Sequence, residues 1–208
     1  MNKSGALVRI ILPPLVALLA GCGASPALKA ADPPPVVSDW SAPADFDRLR
    51  ADYGDREDFF QLCEKSRPVG QLFELAQRQQ WDDALAVTER WLTTCPVDID
   101  MHAMAGMALR QLGRQPESDQ HVRWYRGLVD SVRASGDGRT PKTAYVVISV
   151  AEEYAVLRAL GLRLNGQALT KERMDAMSVE SPDGPATVYF NPAAHFRRLG
   201  RALKKNRN

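Results

Sequence analysis

The sequence predicts an α+β fold, in which helical hairpins pack on a small, mainly antiparallel β-sheet and a C-terminal helix follows. Two observations indicate this class. Between residues 45 and 134, apolar residues recur three or four positions apart, which is typical of amphipathic helices. After residue 134, short β-branched and apolar runs alternate with turn signals, of which Ser181-Pro182-Asp183-Gly184 is the strongest. We therefore expect a helical half (45–134) and an α+β half (135–208) that form one composite domain.

Composition and charge exclude some functional classes. The chain has 208 residues, of which 45% are hydrophobic and 25% are charged, as in ordinary globular proteins. The formal charge of +2 comes from Lys3 and Arg9, since the rest of the chain holds 25 basic and 25 acidic residues. Because nucleic-acid binders are usually plainly basic, we do not expect a nucleic-acid partner.

Residues 1–21 have the pattern of a secretory signal peptide. Lys3 and Arg9 are followed by an apolar run over 10–20 that is shorter than the roughly 20 residues a membrane-spanning helix needs. The run ends in Leu19-Ala20-Gly21-Cys22, which resembles the lipobox of bacterial lipoproteins. The resemblance implies that Cys22 is lipidated and anchors the mature chain to the membrane. The alternative is an ordinary signal peptide cleaved elsewhere, with Cys22 uninvolved.

The segment after Cys22 predicts where the protein resides. Residues 22–44 are rich in Pro and Ala and are expected to form an extended tether. Gly23 occupies the position where an aspartate implies inner-membrane retention in lipoproteins. The expected location is therefore the cell envelope, at the outer membrane and facing the periplasm.

Two further cysteines, Cys63 and Cys95, leave two interpretations open. An even pair in an oxidising compartment favours a disulfide, whereas two buried thiols would pack as small apolar side chains. The chain has no Cys-x-x-Cys motif, and the three histidines have no metal-ligand spacing. We therefore expect neither a metal nor another cofactor.

The helical half is divided by its apolar stripes and breakers. Helices are expected to begin near Asp45, Val69 and Trp81, and two further helices are expected over 100–112 and 117–134. Residue 113 is a glycine, which favours a helix end.

Part of this half resembles tetratricopeptide helix pairs. Trp81, Ala84 and Pro96 match the aromatic, small and terminating positions of one unit, and Gly106 and Gly113 match the next. Two such units cannot bury their faces alone, so the second half should cover them. The resemblance implies either a peptide-binding groove or a helical scaffold for the sheet.

The second half begins with Ser135-Gly136-Asp137-Gly138, either a tight exit from a helix or an amide-rich nest for an anion. Apolar β-branched residues over 143–150 predict a central buried strand. A short helix is expected from Glu152 to Gly161. Its two glutamates favour the helix dipole at the first turn.

Strands are expected over 162–169, 174–180 and 186–190, with the last two forming a hairpin. Asn191-Pro192 predicts the start of the last helix, whose apolar face, formed by Phe196, Leu199 and Leu203, should point inward. The basic residues of this helix indicate either a solvated face or contact with anionic envelope surfaces. They are Arg197, Arg198, Arg201, Lys204, Lys205 and Arg207.

A wider set of residues resembles the signature of the bacterial family known as domain of unknown function 4919. The matching residues are Ser135 to Pro141, Thr143-Ala144, Glu152-Glu153-Tyr154, Leu160-Gly161, Gln167, Asp175 and Tyr189-Phe190-Asn191. The resemblance covers roughly residues 45–191, and Ala168 departs from the serine expected there. It implies a fold and a residue set, because no activity is attached to the family.

The polar residues of this signature form the candidate binding site: Asp137, Glu152, Glu153, Tyr154, Gln167 and Asn191. We expect a non-catalytic envelope lipoprotein that binds a protein or peptide partner. The alternative is a hydrolase or small-ligand-binding enzyme centred on Asp137, Glu153 and Tyr154. Adjacent glutamates point about 100° apart on a helix, which makes them a poor acid–base pair.

Overall fold

The computed structural model describes residue 37 and residues 39–205. The predicted signal peptide, Cys22 and most of the tether lie outside these residues. The described part contains eight α-helices, namely α1 (Phe46–Gly54), α2 (Phe59–Cys63), α3 (Val69–Gln77), α4 (Trp81–Leu92), α5 (Ile99–Gln111), α6 (Gln115–Ala134), α7 (Val150–Ala159) and α8 (Ala193–Lys205). It contains four strands, β1 (Tyr145–Val146), β2 (Arg163–Leu169), β3 (Asp175–Ser181) and β4 (Gly184–Asn191). The α+β class is confirmed. None of the described helices is long and apolar enough to span a bilayer.

Helices α3 to α6 pack on one another in chain order. Helices α3, α4 and α5 share a core that contains Leu72, Ala84, Leu92 and Ala105. Gly106 of α5 faces α6, and an added Cβ there would lie 3.4 Å from the side chain of Val122, at the edge of ordinary van der Waals contact. Small residues thus occupy helix contacts as the sequence predicts, while the tetratricopeptide character of these helices stays a prediction.

The sheet has the strand order β1-β4-β3-β2. Strands β2, β3 and β4 form an antiparallel meander, and β1 pairs in parallel with β4. The predicted central strand over 143–150 is wrong, because β1 is a two-residue strand at the sheet edge. Val147 and Ile148 are buried after the chain has left the sheet. Ser149 then caps α7 by accepting a hydrogen bond from the amide of Glu152.

A large apolar cluster contains residues of both halves of the chain, including Tyr53, Leu128, Met177 and Phe190. The cluster also contains Cys63 and Cys95, which form a disulfide. Of the two interpretations that the sequence left open, the structure therefore adopts the bonded one. The disulfide ties the end of α2 to the segment after α4.

Helix α8 is oriented differently from the prediction. Leu199 and Leu203 are 49% and 53% exposed, and the buried positions are Ala194 and Arg198. The Arg198 guanidinium donates hydrogen bonds of 2.5 Å to the carbonyls of Gly54 and Ile148. Buried carbonyl groups need hydrogen-bond donors. Because Arg198 supplies these donors, its face of α8 turns inward.

Candidate functional site

Asp137 is held in its own turn. Its carboxylate accepts hydrogen bonds from the Thr143 hydroxyl at 2.5 Å and the Arg139 amide at 2.9 Å, and these bonds lower its pKa. The amides of Asp137 and Gly138 both donate to the carbonyl of Thr143. Because these amides are used internally, the structure favours the tight exit over the anion nest.

Glu152 is buried rather than facing solvent at the start of α7. Arg50 of α1 binds its carboxylate in a two-pronged arrangement, with N···O distances of 2.7 and 2.9 Å. The Ile148 amide donates to the same carboxylate, and Arg50 also donates to the Ser131 hydroxyl. The simple helix-dipole explanation is therefore insufficient, because Glu152 joins α1, α6 and α7 through a buried ion pair.

Glu153 is fully buried, and neither of its carboxyl oxygens has a hydrogen-bond partner among the described residues. Burial, together with the charges of the Asp175 and Glu152 carboxylates, raises the pKa of Glu153 to about 9. The side chain is therefore an uncharged carboxylic acid at neutral pH.

Tyr154 and Gln167 are the two predicted site residues that contact each other. The Tyr154 hydroxyl donates to the Gln167 side-chain oxygen at 3.1 Å, which links α7 to β2. Asn191 instead caps α8 by accepting a hydrogen bond from the Ala193 amide. Apart from this pair, the six candidate residues form no side-chain hydrogen bond with one another among the described residues.

The structure also contains an open cleft between α3, α5 and α7. Its volume is about 330 Å³, and Tyr154 of the predicted set lines it. Its apolar walls come from Val69, Leu72, Met101, Met104 and Ala151. Arg67, Asp100 and Arg158 supply its polar part.

An ion-pair network fixes the polar side of this cleft. Arg67 donates to both Asp98 carboxylate oxygens at 2.7 Å and to Asp100 at 2.7 Å. Arg158 of α7 reaches both oxygens of Asp100, at 2.7 and 2.6 Å. Burial alone would lower the pKa of Arg67, but the hydrogen bonds and charges of Asp98 and Asp100 outweigh it and raise the pKa. The network thus holds α7 against the helical hairpins.

Sequence reasoning missed this cleft because its residues are far apart in the chain. Arg158 and Asp100 are separated by 58 positions, and Arg67 and Asp98 by 31. The local signal was limited to Asp98, which precedes α5 and caps it by accepting from the Met101 amide. Nothing in that pattern identifies its arginine partner.

A buried histidine pair was also missed. His102 donates from Nε2 to the carbonyl of Pro96, so its Nδ1 accepts from Nδ1–H of His121 at 3.0 Å. Trp40 and Trp124 pack against these rings. Burial lowers the pKa of His102 to about 3 and that of His121 to about 4, so both rings are neutral. Within residues 39–205, no three or more His, Cys, Asp or Glu side chains are placed to hold a metal ion.

The fold and the cleft define an α+β protein with an open, ligand-sized concavity between its helical hairpins and α7. The chain belongs to the family described as domain of unknown function DUF4919, whose family model matches residues 64–197. The matched region includes all the lining residues of the cleft. Comparisons with curated proteins and with solved structures gave no match.

Proposed function

We propose that this protein is a cell-envelope lipoprotein that binds a protein or peptide segment in the cleft between α3, α5 and α7, without catalysing a reaction. Lipidated Cys22 is its membrane anchor, and it faces the periplasm from the outer membrane. The lipobox-like Leu19-Ala20-Gly21-Cys22 supports the anchor. The Cys63–Cys95 disulfide is in keeping with an oxidising compartment.

The cleft carries the binding proposal. It combines apolar walls with a few fixed charged groups, which is the usual composition of ligand sites. Val69, which lines the cleft, is 50% exposed, and Phe73, one turn further along α3, is 62% exposed. An apolar side chain of a bound segment fits the walls, while the Arg158 guanidinium offers a donor to the segment's backbone or carboxylates.

The tetratricopeptide-like spacing of the helical half supports the same proposal. Helix pairs of that kind present concave surfaces to peptides. The cleft lies where α3 and α5 meet α7, so the second half of the chain contributes one wall.

The catalytic alternative has less support. Asp137 is engaged in its turn, Glu153 is enclosed in the core, and Tyr154 hydrogen-bonds Gln167 at the surface. Glu153 is the carboxyl with a raised pKa, but it does not line the cleft. A substrate in the cleft would therefore meet no acid–base pair formed by these three residues.

A cleft-filling substitution tests the binding proposal. Peptides are selected from a random library against the purified protein, and their affinities are measured by calorimetry. Ala151→Trp places a bulky ring in the cleft and should weaken the selected peptides at least tenfold. Val150→Trp, on the neighbouring residue of α7 that does not line the cleft, is the matched control and should change affinity less than twofold. Equal effects of the two variants would refute the cleft as the binding site.

Membrane fractionation tests the anchor. Cys22→Ser should leave the signal peptide uncleaved or release the protein from the membrane fraction, because the lipid-bearing thiol is gone. Cys63→Ser with Cys95→Ser is the control that keeps Cys22. Normal processing and fractionation of Cys22→Ser would exclude lipidation.

A further inference from the structure

Helix α8 presents an apolar stripe outward, away from the body of the protein. Phe196, Leu199 and Leu203 are spaced three and four residues apart, so they share one face of the helix. Ala194 and Arg198 form the buried face, and Arg198 also packs its guanidinium 4.1 Å over the Phe59 ring. Since these contacts fix the helix rotation, Leu199 and Leu203 stay about half exposed.

Cationic side chains lie along this stripe. Arg197 and Lys204 are exposed on the adjacent face, whereas Arg201 turns toward the protein body and donates to the Asp55 carbonyl at 2.9 Å. Arg173, from the turn between β2 and β3, places its guanidinium 4.6 Å over the Phe196 ring. Asp55 forms an ion pair with Arg197 at 2.9 Å. Because Lys204 and Arg173 add two further cations, positive charge still exceeds negative charge beside the stripe.

An exposed apolar stripe edged by cations is the arrangement of helices that lie in the plane of a membrane surface. We propose that α8 docks on an anionic lipid bilayer, with Phe196, Leu199 and Leu203 between the acyl chains. Arg197 and Lys204 would then lie at the level of the phosphates. A surface groove of about 400 Å³ beside Phe196 and Arg173 leaves room for a headgroup.

Charge and size favour a bilayer over a second copy of the chain. Two copies that met through this stripe would bring their arginines and lysines together, and like charges at an interface are destabilising. Three side chains on one helix also bury far less than the roughly 1,200 Å² that a stable protein interface needs. A bilayer needs no such area and supplies negative charge. Lipidation of Cys22 is not required, because every group involved belongs to α8 or the β2–β3 turn.

A fluorescent label at position 203 tests the docking. The full chain carries Cys22→Ser and Leu203→Cys, so that the label attaches at one thiol while Cys63 and Cys95 stay in their disulfide. Vesicles of phosphatidylcholine with 30% phosphatidylglycerol should shift the emission to the blue, and brominated acyl chains should quench it. Attachment of the chain through any other segment leaves this local signal unaffected. In the control, the label is attached through Phe73→Cys on α3, and its emission should show neither the blue shift nor the quenching.

Charge variants identify the cause. The double variant Arg197→Gln and Lys204→Gln should raise the half-saturating lipid concentration at least tenfold, as should pure phosphatidylcholine vesicles or 0.5 M salt. The matched control neutralises two exposed arginines of the helical half, Arg78 and Arg90, and should change the half-saturating lipid concentration less than twofold. Melting temperatures of both double variants verify that they are folded.

Three results would overturn the proposal. One is a label at position 203 that stays in water on anionic vesicles. Another is equal binding by the two double variants. The last is a blue shift that grows with protein concentration without lipid, which would assign the stripe to a second copy of the chain.

Discussion

Glu153 has an unusual environment for a carboxyl group, and its protonation links the core to pH. The side chain is fully buried in α7, and burial raises its pKa to about 9. The ordinary value in an unfolded chain is about 4.3. The folded protein therefore holds a proton on Glu153 through a pH range in which the unfolded chain releases it. This group contributes full stability below the unfolded pKa and loses it as pH rises through the folded value.

Glu153→Gln should remove this dependence. Glutamine keeps the shape of the protonated acid and does not ionise, so the variant should be more stable than the wild type at pH 8. The free energy of unfolding of the wild type should fall between pH 7 and 9, with a slope of up to about 1.4 kcal/mol per pH unit from this residue. Urea unfolding across that range measures the slope. Glu172→Gln, at an exposed position, is the control and should retain the wild-type slope.

If Glu153→Gln kept the wild-type slope, Glu153 would be ionised in the folded protein at neutral pH. The histidine pair affects stability only below the unfolded histidine pKa of about 6.5, outside the range from pH 7 to 9. Because the pKa values of His102 and His121 are lowered, their contribution is present above the unfolded pKa of about 6.5. It is lost as pH falls through about 4 and then about 3.

At the scale of elements, apolar spacing predicted the positions of the helices along the chain more accurately than it predicted their packing. The expected helices over 100–112 and 117–134 correspond closely to α5 and α6. Spacing identifies the apolar face of a helix but not the face that is buried. In α8 the two differ, because Arg198 meets carbonyls that are 50 and 144 positions away in the chain.

The short strand β1 and the candidate site illustrate the same limit. Val147 and Ile148 looked like part of a strand because they are β-branched, but the Ser149 cap begins α7 directly afterwards. Tyr154 and Gln167 were predicted as site residues and do meet. The cleft beside Tyr154 depends on ion pairs between distant segments, which no local pattern reports.

Arg198→Met tests what orients α8. The variant leaves the carbonyls of Gly54 and Ile148 buried without these donors, and each such group costs about 1–3 kcal/mol. We expect a loss of about 2–4 kcal/mol in the free energy of unfolding, measured in urea with an unchanged m-value. Arg197→Met, which removes an exposed ion pair on the same helix, should cost less than about 1 kcal/mol. Equal losses of the free energy of unfolding in the two variants would show that Arg198 does not fix the orientation of α8.

At the scale of the whole molecule, the contacts between the two halves are both apolar and ionic. Leu128 and Val132 of α6 share an apolar cluster with Met177 and Phe190 of the sheet. The buried Arg50–Glu152 pair joins α1 to α7, and Asp100 joins α5 to α7 through Arg158. Removing one half would expose the apolar surface of the other and leave Arg50 without its carboxylate.

The composite-domain prediction is tested by dividing the chain at residue 134. The fragment 45–134 retains the smaller core of α3, α4 and α5, around Leu72 and Leu109, but loses the partners of Tyr53, Leu128 and Val132. Helical units of this kind need neighbours to bury their faces, so the fragment should be molten or aggregate. Residues 45–208 should instead melt in one cooperative transition, with the same midpoint by far-ultraviolet and near-ultraviolet circular dichroism. A fragment 45–134 with dispersed NMR signals and its own sharp melting transition would contradict the prediction, and the helical half would then be a domain in its own right.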